Sequence, residues 1–92
     1  MKIEFDPAKS EKNSEERDLP FDRATDFDWA AAKYAEDVRN TYPEPRFIAV
    51  GYLDKRLHVL CFTPVPGGVR VISFRKANDR EAKRYGKTIT VD

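Results

Sequence analysis

The clearest hydrophobic pattern in the chain is a pair of apolar segments separated by a short polar turn. Phe47–Leu53 and Leu57–Thr63 are rich in β-branched and aromatic residues, and Asp54–Lys55 lies between them. Apolar segments flanking such a turn predict a β-hairpin. A turn over Pro64–Gly68 and a third apolar segment, Val69–Arg75, extend the prediction to a three-stranded antiparallel meander.

Shorter patterns occupy the beginning of the chain. Lys2–Phe5 alternates polar and apolar residues, which predicts a short strand. Asp6 is a suitable N-cap and Pro7 suits a first helical position, so a helix is predicted to run to Arg17, mostly in solvent because it is rich in charge. Phe21–Phe27 places apolar residues at helical spacing and predicts a second helix whose aromatic rings cover the sheet.

The remaining segments are less clear in pattern. Asp28–Asn40 is ambiguous, and its alanine-rich start favours a helix by propensity alone. Asn78 is the expected N-cap of a last helix, which Gly86 closes. Lys87–Asp92 is expected to be either a fraying tail or an additional edge strand.

These elements predict an α+β protein in which the helices cover one face of an antiparallel sheet. Ninety-two residues fit a single domain over residues 1–92. One cysteine excludes an internal disulfide, and no apolar run is long enough to cross a membrane. With no signal-peptide pattern at the N-terminus, the expected location is the cytoplasm.

Net charge is +1, but the charges are unevenly distributed. Residues 1–44 contain seven basic and twelve acidic side chains, whereas residues 45–92 contain ten basic and four acidic ones. This asymmetry indicates an anionic partner for the second half, nucleic acid being the commonest. The alternative is that the two halves neutralise each other within the fold.

A basic cluster spans the third predicted strand and the last helix. Its members are Arg70, Arg75, Lys76, Arg80 and Arg84, and Lys55 and Arg56 add two cations near the hairpin turn. Guanidinium groups bind phosphate through paired hydrogen bonds and stabilise the extra charge of a phosphorane-like transition state. The cluster therefore predicts RNA binding, with a merely solvated helix face as the alternative.

RNA cleavage without a metal also needs a base for the 2′-hydroxyl and an acid for the leaving 5′-oxygen. The candidates are His58, Glu81, Tyr85 and Lys76. Each also has a structural interpretation, since a strand histidine often contacts only a cross-strand neighbour and a tyrosine near a helix end often covers the core.

Strand alternation limits how these residues combine. His58 and Cys61 are three residues apart on a predicted strand and face opposite ways, so neither a zinc site nor a Cys/His nucleophilic pair is expected. No metal or other cofactor is predicted. By the same rule Arg70 and Arg75 lie on opposite faces, and Arg75 is the one expected to point into the site.

Three separated motifs agree in order and spacing with a known family. They are Asp6-Pro7-x-Lys9-x-x-x-Asn13, then Arg46-Phe47-Ile48-Ala49-Val50-Gly51, then Arg70-x-Ile72-Ser73-x-Arg75-Lys76-Ala77 followed by Glu81-x-x-x-Tyr85. With these motifs the chain, from Lys2 to Tyr85, resembles the BrnT family, the ribonuclease toxins of BrnT/BrnA type II toxin–antitoxin modules.

The resemblance implies a RelE-like fold: an antiparallel β-meander with two N-terminal helices and a C-terminal helix. It favours a strand over Ala32–Val38 in place of the helix that local propensity indicates. It also implies metal-independent RNA cleavage that inhibits translation. The site residues carried over by the resemblance are Arg70, Arg75, Lys76, Glu81 and Tyr85.

The chain departs from the family at two places. Glu15–Asp18 is acidic where relatives are more basic and often contain histidine, and His58 stands where relatives more often carry an aliphatic residue. The expected partners are a BrnA-like antitoxin, an RNA substrate, and DNA only through the antitoxin complex.

Two other functions are compatible with the same residues. The basic half could belong to a non-catalytic module that binds an acidic protein or nucleic acid. Alternatively, the aromatic side chains of Phe21, Trp29 and Tyr34 could pair with a second chain in a purely structural subunit.

Overall fold

A five-stranded mixed sheet forms the centre of the computed structural model, which describes residues 1–91. The strands are β1 (Lys2–Glu4), β2 (Lys33–Glu36), β3 (Phe47–Leu53), β4 (Arg56–Val65) and β5 (Gly68–Lys76), and the helices are α1 (Pro7–Arg17), a 3₁₀ helix (Phe21–Asp26) and α2 (Asp79–Arg84). In the sheet the strands lie in the order β1-β5-β4-β3-β2. The α+β class is as predicted.

The predicted meander is present, with longer strands than expected. Asp54 and Lys55 have positive φ values of 50° and 63°, as the two central residues of a type I′ hairpin turn require. The second turn is tighter than predicted, because β4 continues to Val65 and β5 already begins at Gly68.

The first strand makes the sheet mixed, and the prediction of an all-antiparallel sheet was wrong. β1 pairs in parallel with the start of β5, with Lys2 opposite Gly68 and Glu4 opposite Arg70. Parallel neighbours require a long connection, and here the chain leaves β1, crosses one face of the sheet and re-enters at the far edge as β2. Gly68 permits this pairing, since a Cβ there would stand 1.9 Å from the Lys2 carbonyl oxygen.

Two segments in the first half form elements that differ from those their local patterns favour. The second N-terminal helix is a 3₁₀ helix, not an α-helix, although it buries Phe21 and Ala24 as expected. The ambiguous segment contains β2, which confirms the strand implied by the family resemblance. Pairing with β3 along Lys33–Glu36 overrides the helical propensity of the preceding alanines.

Helices cover both faces of the sheet, so the prediction that they share one face was also wrong. On the face covered by α1 and the 3₁₀ helix, here called the α1 face, the core is formed by Leu19, Phe21, Ala24, Phe27, Leu60, Phe62 and Phe74 with their neighbours. On the opposite α2 face a smaller core consists of Val50, Leu57, Val59, Ala77 and Ala82. Ala77 and Ala82 bring α2 to this second face.

A bulge in β5 changes which side chains share a face. Ser73 lies opposite Cys61 but Val71 lies opposite Phe62, so Ile72 is the extra residue on β5. Arg70 and Arg75 therefore both lie on the α2 face, opposite Thr63 and Val59. The prediction that they face opposite ways was wrong, because simple alternation does not hold across a bulge.

The end of the chain partly extends the sheet. Thr90 forms an isolated antiparallel bridge with Arg56, and the Leu57 N–H donates to the Ile89 carbonyl at 2.8 Å. This supports the edge-strand alternative for the tail as far as Val91, whereas Asp92 lies outside the described residues.

Helix α1 is attached to the fold through polar groups. The Asn13 amide donates to the Leu19 carbonyl at 2.7 Å and to the Phe74 carbonyl at 2.8 Å. The Ser10 hydroxyl accepts from the Phe21 N–H at 2.8 Å. These bonds explain how a helix with almost no apolar side chains keeps a defined position on the sheet.

We expect Asn13→Ala to lower the free energy of unfolding by about 2 kcal/mol, because two carbonyls lose their donor in a partly buried position. Urea unfolding followed by circular dichroism measures the change. Glu15→Ala, an exposed substitution on the same helix, is the control and should stay within about 0.5 kcal/mol of the original chain. Equal effects of the two substitutions would contradict the anchoring role of Asn13.

Candidate functional site

A cleft of about 320 Å³ opens on the α2 face. Its floor consists of β3 and β4 side chains, including Val50, Val59 and Cys61. We call it the arginine cleft, and its polar rim consists of Arg39, Ser73, Arg75, Glu81, Arg84 and Tyr85. The structure thus brings together four of the predicted site residues, from the end of β5 and from α2 and its C-cap.

Arg75 is held in this cleft by a two-point ion pair. Its Nη1 and Nη2 donate to the Glu81 carboxylate oxygens at 2.8 and 2.7 Å. The same carboxylate accepts from the Asn78 N–H at 3.0 Å, while the Asn78 side chain accepts from the Glu81 N–H at 2.8 Å. The reciprocal capping of α2 therefore also fixes the guanidinium of Arg75.

The charge state of Glu81 follows from these contacts. Hydrogen bonds from Arg75 lower the pKa of Glu81 to about 2, against the opposing effect of burial. A carboxylate with so low a pKa is a weak base and is poorly suited to proton transfer near neutral pH. Its geometry instead suits positioning of Arg75.

Arg39 is a rim residue that the sequence reasoning missed. It lies in the loop after β2 and donates to the buried Asp37 carboxylate from Nε at 2.9 Å and from Nη2 at 2.8 Å. These bonds hold the pKa of Asp37 well below its usual range. The Asp-x-Arg spacing was the available signal, but the segment had no clear periodicity to place it.

A second cleft, of about 650 Å³, lies on the α1 face. We call it the histidine cleft; its polar side chains are Arg17, Asp18, Arg23, Asp54, Arg56, His58 and Lys76. His58 and Lys76 are directly opposite each other on β4 and β5, which places them together and away from Arg75. Arg17 and Arg23 are the cations here that sequence reasoning missed, because they come from the predicted acidic half.

His58 is buried, with 4% of its surface exposed. Its Nδ1 lies 2.7 Å from the Arg56 carbonyl oxygen, which only accepts, so Nδ1 carries the proton and Nε2 is left as an acceptor. Burial lowers the pKa of His58 and favours the neutral ring. Cys61 faces the other side of the sheet, in the arginine cleft, as strand alternation predicted.

Three predicted RNA-binding residues line neither cleft. Arg70 shares a face with Arg75 but pairs with Glu4 at 3.4 Å. Arg80 is exposed on α2, and Lys55 is exposed in the hairpin turn. The ten predicted site residues therefore divide between two clefts and the outer surface.

Residues 1–91 contain neither a metal-binding cluster nor a helix suited to span a membrane. No three side chains among His, Cys, Asp and Glu lie together in this range in a way that could hold a metal ion. None of the helices in the same range has the length and apolar character needed to cross a bilayer.

The fold and its clefts define a small α+β protein with cationic concave surfaces on both faces of a mixed sheet. The family model for the ribonuclease toxin BrnT of type II toxin–antitoxin systems matches residues 5–81. The chain belongs to this family. The match ends at Glu81, before Arg84 and Tyr85. A comparison with individually curated proteins finds no match.

The Arg75–Glu81 pair should make stability depend on pH. Because the folded-state pKa of Glu81 is about 2, its stabilisation is present above the unfolded value of about 4.3 and lost as the pH falls towards 2. We expect Glu81→Gln to unfold about 1 kcal/mol more easily at pH 7, allowing for solvent screening, and this difference to vanish towards pH 2.

Unfolding in urea at several pH values measures this difference. Asp79→Asn removes an exposed carboxylate from the same turn of α2 and is the control, expected to stay within about 0.5 kcal/mol. A Glu81→Gln effect that stays constant from pH 7 to 2 would show that the ion pair is not its cause.

Proposed function

We propose that this chain is a metal-independent endoribonuclease, a RelE-like toxin domain that cleaves RNA in the cytoplasm and is neutralised by a BrnA-like antitoxin. Family membership supports a ribonuclease toxin of a type II system. The observation that carries the proposal is the convergence of Arg39, Arg75 and Arg84 with Tyr85 around one concave site. DNA binding enters only through the antitoxin complex.

The proposed reaction is transfer within the RNA backbone. The 2′-oxygen attacks the adjacent phosphorus, its proton passes to a base, and the P–O5′ bond breaks while the 5′-oxygen takes a proton from an acid. The products are a 2′,3′-cyclic phosphate and a 5′-hydroxyl. Guanidinium groups compensate the charge that develops on the phosphoryl oxygens, which is the role a metal ion plays elsewhere.

Arg75 suits this task because it is ordered before substrate arrives. With its bidentate bond to Glu81 formed, the Arg75 side chain is still 39% exposed, and it lines the cleft. Preorganised charge avoids the cost of reorienting a donor during the reaction. Arg39 is held by Asp37 in the same manner, with its own side chain 72% exposed.

Tyr85 is the proton-transfer group we assign to this cleft. It is the C-cap residue of α2, is half-buried, and its hydroxyl has no hydrogen-bond partner among residues 1–91. His58 and Lys76 lie on the other face and do not reach the same phosphate as Arg75. Glu81 becomes a positioning residue for Arg75.

We expect Arg84→Ala to slow RNA cleavage by about 100-fold, because it removes a charge that stabilises the transition state from an exposed position. Gel analysis of a defined RNA, with the purified protein in excess EDTA, measures the rate. Arg80→Ala, the same change on the outer side of α2, is the matched control and should retain activity. Equal losses in the two variants would contradict the assignment of the arginine cleft.

Tyr85→Phe should also slow cleavage by about 100-fold or more while leaving RNA affinity nearly unchanged, because it removes only the hydroxyl. Single-turnover rates and binding measurements on the same variant separate the two effects. A Tyr85→Phe protein with full activity would exclude the proton-transfer role.

The alternative is a non-catalytic binding module. It is favoured if folded protein binds RNA in a salt-dependent manner, yet leaves it intact with and without ribosomes. That result, obtained with a chain that still forms a complex with its antitoxin, would overturn the enzymatic proposal.

A further inference from the structure

The two clefts are connected by a groove along the open edge of β5. β1 covers only Gly68–Arg70, so within residues 1–91 the rest of this edge has no neighbouring strand. A groove of about 300 Å³ runs there between α1 and β5; we call it the α1–β5 groove. It shares Ser73 and Arg75 with the arginine cleft and Arg17 with the histidine cleft.

Cationic side chains of α1 line this groove. Lys9, Lys12 and Arg17 all line it. Glu16 is the acidic residue in the groove, and it pairs with Lys12 at 3.8 Å. A helix that is mostly exposed and has almost no apolar residues thus presents positive charge beside the proposed cleavage site.

Two consecutive residues of β5 line the two clefts that the α1–β5 groove connects. Arg75 and Lys76 leave β5 on opposite faces, one into each cleft. His58 lines the histidine cleft, and Nε2 of its neutral ring has no hydrogen-bond partner within residues 1–91. The Lys76 ammonium group also has no ion pair or hydrogen bond in that range. An acceptor beside a free ammonium group suits a ligand with an N–H or O–H donor near a phosphate.

We propose that a single RNA strand extends from the arginine cleft through the α1–β5 groove into the histidine cleft, where a nucleotide remote from the cleaved bond is bound. This inference rests on the proposed function, because RNA is its ligand. A nucleotide offers the required combination, with its phosphate on Lys76 and a base N–H donated to His58 Nε2. The concave shape and volume of the histidine cleft lie in the range of small-ligand sites.

Binding of a twelve-nucleotide single-stranded DNA tests the path separately from catalysis, since DNA lacks the 2′-hydroxyl nucleophile. We expect the double variant Lys9→Ala/Lys76→Ala to bind it about ten-fold more weakly at roughly 100 mM salt. The log–log slope of its salt dependence should be shallower by about 1.4 units, because two phosphate contacts of a single strand are lost at about 0.7 each. Arg80→Ala/Lys83→Ala removes the same charge from α2 outside all three clefts and should change affinity less than two-fold. Equal losses in the two double variants would overturn the proposal.

His58 gives a direct readout on the unaltered protein, because it is the single histidine of the chain. Its imidazole NMR signal should shift when the DNA saturates the protein. The shift should persist in Tyr85→Phe, which is expected to lose cleavage while its affinity stays nearly unchanged, and this separates failure of the path from failure of the proposed enzyme. A signal that does not move at saturation excludes the histidine cleft from the path.

A protein ligand is the competing occupant of these surfaces. If Lys9→Ala/Lys76→Ala binds the DNA normally but loses affinity for the antitoxin, the α1–β5 groove and histidine cleft are a protein-binding surface and the RNA path is wrong.

Discussion

One carboxylate connects the sheet, the last helix and the candidate site. Glu81 closes the capping box of α2 with Asn78 and at the same time binds both terminal nitrogens of Arg75. The start of α2, the end of β5 and the orientation of the guanidinium are therefore one structural unit. Removing the carboxylate would affect the helix and the cleft together. Hydrogen bonds from Arg75 and from the Asn78 N–H both lower the pKa of Glu81.

The bulge at Ile72 determines which cations share a face. With regular alternation Arg70 and Arg75 would be on opposite sides of the sheet; with one additional residue they lie on the same side. The two arginines nevertheless do not line the same cleft, because Arg70 pairs with Glu4 on β1 whereas Arg75 pairs with Glu81 on α2. The neighbouring strand and helix, not orientation alone, decide which arginine lies in the arginine cleft.

The charge asymmetry between the two halves is only slightly reduced by folding. Among residues 1–91, two cations of the second half, Arg46 and Arg70, form ion pairs with carboxylates of the first half. Arg75 is paired within its own half. Most remaining cations of that half lack an acidic partner in the described chain, which favours an anionic ligand over internal neutralisation.

Local patterns were enough for the hairpin, the meander, the α1 and α2 caps, and the opposed orientation of His58 and Cys61. All of these depend on residues that are close in sequence, so spacing and turn chemistry determine them. The basic cluster was also visible in the chain, the choice of Arg75 within it stays a prediction, and the family motifs identified the class of protein.

Tertiary structure decided what depends on distant partners. β2 is a strand because β3 supplies its hydrogen bonds, and β1 is parallel because it docks beside Gly68 far along the chain. The predicted site is divided into two clefts because Arg75 and Lys76 are consecutive on β5 and helices pack on both faces of the sheet. Long-range packing of other segments adds Arg17 and Arg23 to one cleft and Arg39 to the other. Sequence alone determined which residues are charged or reactive. Long-range strand pairing determined which of them lie in the same cleft, because backbone hydrogen bonds between strands fix the register and the face of each side chain.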